Sequence, residues 1–92
     1  MTQLIPIVEN HTTTTIDLCK ACLDGIPLFP GSRIKLPLTA KGAIHGHSDL
    51  GSFIISKYND NFALQAWGEF VITGHPTHSE YIVKITLKKA HQ

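Results

Sequence analysis

Ninety-two residues are enough for one small domain around a single core, and an apolar fraction of 42% with only 16% charged residues argues against disorder. Eight basic residues against seven acidic ones leave a net charge of +1. No basic stripe stands out beyond Lys84, Lys88 and Lys89, so the phosphate-neutralising footprint of a nucleic-acid binder is missing.

Taken in chain order, the start MTQLIPIVEN lacks a basic segment leading into a long apolar one, so no secretory signal is read. The cytoplasm is then the default location, with secretion or incorporation into a virion left open. No apolar run is long enough for a membrane-spanning helix. Residues 4–8 read as a short strand, and Pro6, which has no N–H for a ladder, places it near an edge. Asn10-His11-Thr12 fits the glycosylation acceptor pattern, but a three-residue match carries no weight alone. Thr12 to Ile16 is β-branched and favours a strand that continues to about Leu18. The rival is one short helix near residues 16–24. Thr14 and Asp17 fit a capping box, Cys19, Cys22 and Leu23 continue the face begun by Ile16, and Gly25 with Pro27 would end it.

Asp24-Gly25 and Pro30-Gly31 are turn signals on either side of Ile26 to Phe29. From Arg33 to Leu38 the pattern alternates, with Ile34, Leu36 and Leu38 inward and Pro37 at an edge or an end. GAIHGHSDLG, residues 42–51, reads as a long polar connection hinged at Gly42, Gly46 and Gly51. A hairpin follows, residues 53–58 pairing with 62–67 across Asn59-Asp60-Asn61. Phe62, Leu64, Ala66, Phe70 and Ile72 share a face, and Gly68 between them marks a bulge or bend. The clearest strand runs from Tyr81 to Lys88, with Tyr81, Val83, Ile85 and Leu87 on one side. Six to seven short strands separated by turns every roughly 8 to 12 residues predict an all-β fold. It would be a small antiparallel sandwich, jelly-roll-like, or a barrel, in a single domain covering residues 1–92. The pattern is similar to small β-domains of virion and assembly proteins.

Three places carry side chains suited to chemistry. In extended backbone His45 and His47 point to one side, and Asp49 continues that side; neutral imidazole with carboxylate suits a divalent transition metal such as zinc. His75 and His78 would complete the set if the fold brings them near. The His45-Gly46-His47 pair resembles the HxH of cupins, the metal-binding β-barrels. The glutamate that follows in that family has no counterpart at Leu50, Gly51 or Ser52, and its Gly-Pro-His order is permuted at Gly74-His75-Pro76. Cys19 and Cys22 have the CxxC spacing but no second pair; His45 and His47 could in principle close a site with them, while buried thiols are the simpler reading.

Trp67 alternates onto the side of Gln65 and Glu69, opposite Phe62, Leu64 and Phe70, where an aromatic can anchor a partner chain or stack on a sugar. A glycan ligand has no further support. Ser48, Ser52 and Ser79 have no nucleophile-elbow motif around them and no phosphate-binding glycine pattern exists, so nothing specifies an enzyme. Weak colloidal protection from few charges fits a homo-oligomer or an assembly with other protein chains. The expectation is a non-enzymatic β-sandwich acting through protein–protein contacts, without a cofactor. The alternative is a small metal-binding barrel built on His45 and His47.

Overall fold

The computed structural model describes residues 4–20, 25–39, 41–59 and 61–88. Among them nine strands form: β1 (Ile5–Asn10), β2 (Ile16–Lys20), β3 (Ile26–Leu28), β4 (Arg33–Lys35), β5 (Ala43–Ser48), β6 (Gly51–Tyr58), β7 (Asn61–Gly68), β8 (Phe70–Pro76) and β9 (Glu80–Leu87). They make two sheets, ordered β4-β1-β9-β8 and β3-β2-β5-β6-β7. The fold is an open sandwich and not a closed barrel. All pairings are antiparallel except β1 with β9, which run parallel.

Alternation explains the packing. Val8, Ile16, Leu18, Ile44, Ile55, Val83 and Ile85 occupy inward positions and are completely buried. Phe53 and Phe70 join the two sheets ring to ring, their centroids 6.1 Å apart and tilted by 60°. Tyr81, Val83, Ile85 and Leu87 face inward, as the sequence predicts.

Three expectations are corrected. Strand β2 begins at Ile16, so Thr12 to Thr15, expected within it, belong to the crossing before it; over 16–20 the strand reading holds and the rival helix is not formed, while residues 21–24, and Cys22 with them, lie outside the described residues. The exchange of ladder bonds with β3 and β5 supplies the tertiary support that decides the matter. Strand β1 is interior, between β4 and β9, despite Pro6. Successive residues of a strand aim their backbone groups to opposite neighbours. The Pro6 carbonyl accepts from Leu36 N–H at 3.0 Å, on the β4 side, so its missing N–H lies beyond the end of the β4 ladder. The parallel ladder to β9 loses nothing.

The third correction is GAIHGHSDLG, which is a strand and a tight turn instead of a loop. Ile44 and Gly46 point inward while His45 and His47 are exposed. Gly46 faces Phe53 on β6, and a Cβ at Gly46 would come within 2.1 Å of that ring. The glycine is therefore no hinge: it is the inward position whose volume Phe53 fills.

At one end of the sandwich the chain crosses between sheets through a buried polar knot. Asn10 donates its two amide protons to the carbonyls of Thr14 and Leu28, at 2.9 and 2.8 Å, and its Oδ1 accepts from the Thr12 N–H and hydroxyl. This satisfies an amide that is 1% exposed. It also removes Asn10 as a glycosylation acceptor in the folded protein. Among the described residues no helix is long and apolar enough to cross a membrane.

Candidate functional site

The outward faces of the two sheets differ in chemistry. On the four-stranded sheet, Glu9 lies between Arg33 and Lys84 in register and contacts His11 at 2.9 Å and Arg33 at 3.9 Å. Lys35 and Glu80, from strands on either side of β1, pair at 3.4 Å, and Ile7 between those strands is buried. This face is charged and laced across.

The five-stranded sheet presents two cross-strand rows instead. Asp17, His47, Ser52 and Trp67 are opposite one another in sequence, followed by Cys19, His45, Ile54 and Gln65. With neighbouring strands about 4.8 Å apart, each row runs about 14 Å from β2 to β7. Asp17 is its one carboxylate, and no lysine or arginine is in either row. Trp67 at the margin is 48% exposed.

The positions of the sequence-derived candidates follow from this geometry. Trp67 and Gln65 share the outer face of β7, as alternation requires. Glu69 leaves that row. Gly68, at φ 74°, turns the chain from one sheet to the other, and Glu69 beyond it donates its N–H to Leu50 and accepts from Lys88 N–H, each at 2.8 Å. A side chain at Gly68 would meet the Leu50 carbonyl at 2.6 Å, so the corner requires glycine. His45 and His47 do lie side by side on β5. Asp49 is in the turn after Ser48, where the strand alternation has ended, and the Ser48 hydroxyl accepts from Leu50 N–H at 3.0 Å. His75 sits on β8, in the other sheet, and His78 in the turn from β8 to β9. The structure brings neither to the histidine pair. Among the described residues, no three His, Cys, Asp or Glu side chains are placed to hold a metal ion together.

Two further features lie outside those candidates. Lys57 occupies an inward position of β6 and is 4% exposed; its Nζ donates to the Leu38 carbonyl at 3.4 Å and lies 5.9 Å from the centre of the Phe62 ring. The signal was present, since Lys57 continues the inward series of Phe53 and Ile55. Beside it, Phe62 stacks on Tyr81 at 4.4 Å and 11°. These two rings, with Leu4, Asn61 and Pro76, line a shallow cleft of about 250 Å³ at the end of the sandwich.

Among the described residues β7 is the longest of the four sheet edges. Strands β3 and β4 are three residues each, the first containing Pro27 and the second carrying Arg33 and Lys35. Such shortness, charge and proline are usual protections of an exposed edge. Strand β8 runs seven residues without Asp, Glu, Lys or Arg and is closed by Pro76 at its end. Strand β7, NFALQAWG, runs eight residues with no charge and no proline. Compared with known protein families, characterised proteins and solved structures, the chain matches none.

Proposed function

We propose that the chain is a non-enzymatic binding and assembly module that associates with further copies of itself through the β7 margin. The observation that supports this reading is Trp67, half exposed on the last strand of the five-stranded sheet, beside the neutral side chains of Gln65 and Ser52. An aromatic ring in such a place carries a large apolar area at low entropic cost, and tryptophan is over-represented among residues that dominate interface energies. The ion pairs of the opposite face hold their partners within the molecule and favour hydration there.

Light scattering over a range of protein concentrations tests the reading. The wild-type protein forms a defined oligomer, and Trp67→Ala shifts it toward monomer while lowering stability by less than about 1 kcal/mol. A large fall in melting temperature with association unchanged would show that Trp67 serves the fold instead. Stoichiometric metal in the purified protein, lost in a His45→Ala/His47→Ala double variant, would overturn the metal-free reading.

A further inference from the structure

The backbone of β7 specifies how such an association is built. The Lys57 N–H and carbonyl bond to Gly42 and Lys41, on the β5 side of β6. Alternation then turns Ser52, Ile54, Ser56 and Tyr58 toward β7, where their register partners are Trp67, Gln65, Ala63 and Asn61. The backbone groups of Phe62, Leu64 and Ala66 consequently point the other way, to the free edge. Among the described residues no strand lies beyond β7 in its sheet.

We propose that this edge pairs with β7 of a second copy, antiparallel about a two-fold axis at Gln65, joining two five-stranded sheets into one. The inference rests on the self-association proposed above and names its geometry. Three observations favour a second copy as the occupant. First, the strand carries no charge from Asn61 to Gly68, so a symmetric pair places no like charges opposite each other. Second, the register centred on Gln65 matches large side chains to small ones on both faces. Trp67 falls opposite Ala63 on the outer face, and Leu64 opposite Ala66 on the inner face. In that register Leu64 and Ala66, whose backbone groups are outward, exchange both ladder bonds with their counterparts. Third, the inward residues of this strand (Phe62, Leu64 and Ala66) are only partly buried, whereas inward residues at the sheet centre are sealed. A copy added here extends cover over them, and a two-fold axis closes the assembly as a dimer.

Two substitutions at one exposed position test the geometry in opposite directions. At the two-fold axis Gln65 faces its own counterpart in a non-hydrogen-bonded pair, with Cα atoms about 4.5 Å apart, which is within disulfide range. Gln65→Cys should therefore oxidise to a covalent dimer. Peptide mapping should find the 65–65 link, and wild type under the same oxidant controls for Cys19 and Cys22. Gln65→Lys sets two ammonium groups face to face and should raise the dimer dissociation constant by about tenfold or more, partly reversed by salt. Wild-type protein that associates while Gln65→Cys fails to cross-link and Gln65→Lys associates normally would overturn strand pairing alone. Self-association would then stand, through another surface. A wild-type protein that stays monomeric at every concentration overturns both.

Discussion

The two halves of the sandwich are closed to different degrees. From β1 to β5 the chain crosses between sheets three times, at residues 11–15, 29–32 and 36–42, and the crossings cap the interior with Asn10, Leu36 and Leu38, all buried. From β6 to β9 it crosses once, at the Gly68–Glu69 corner, and the inward residues of β7 and β8 beyond Phe70 remain partly accessible. Strands β6 and β9 are as sealed as the first half, through Phe53, Ile55, Val83 and Ile85, so the accessible part of this half is the margin made by β7 and β8. That margin keeps apolar surface that a partner can cover, which is where the proposed contact lies. A comparison of this kind can be broken by substitution, and the largest effects belong to the sealed interior.

Gly46→Val should have the greatest effect. The glycine and Phe53 share one volume at the centre of the five-stranded sheet, and two added methyl groups beyond a Cβ already at 2.1 Å force the ring or the strand to move. A loss of about 3 kcal/mol or more is expected from overpacking of this severity. Thermal or urea unfolding measures it, and a variant as stable as wild type would show that the Phe53 ring has somewhere else to go. Asn10→Ala comes next, at about 1 to 3 kcal/mol, because it removes the buried amide that bonds the Leu28 carbonyl and the Thr12 N–H, while the Thr12 hydroxyl keeps its own bond to the Thr14 carbonyl at 3.1 Å. If Asn10→Ala costs under about 0.5 kcal/mol, the crossing at residues 11–15 is held by something other than this amide.

How legible all this was in the sequence depended on whether side chains reported their own surroundings. The strand ending in Leu87 and the hairpin between Phe53 and Trp67 alternate so plainly that the faces could be read directly, and the outward position of Trp67 came with them; the hairpin register could not, since Asn61, read as part of the link, belongs to β7 and pairs with Tyr58. His45-Gly46-His47 misled because a glycine has no side chain to declare itself inward; its environment is set by Phe53, seven positions later. Pro6 misled for a related reason. A proline bars pairing on one side of a strand only, and which side depends on neighbours that the sequence does not name. Asn10 reads as an acceptor sequence because the carbonyl of Leu28, its distant partner, is backbone and leaves no trace in composition. The free edge of β7 was latent: the absence of charge from Asn61 to Gly68 was visible, but only the strand order makes that segment an edge.

The difference between the halves is measured most cleanly by one change of chemistry made in both. Leu18 on β2 and Leu64 on β7 both face the interior of the same sheet; Leu18 is fully buried and Leu64 is partly exposed. Truncation of a sealed leucine removes its burial and leaves a cavity, so Leu18→Ala should cost about 2 to 5 kcal/mol. At Leu64 part of the side chain already meets water and the margin can collapse or hydrate, so Leu64→Ala should cost about 1 to 2 kcal/mol. The measurement belongs at concentrations where light scattering shows monomer, since lost association would otherwise add to the apparent loss of stability. Equal values for the two leucines would mean that the β7 margin is as closed as the centre. An unequal pair whose gap widens at concentrations that favour association would show that the second copy supplies the cover this margin lacks.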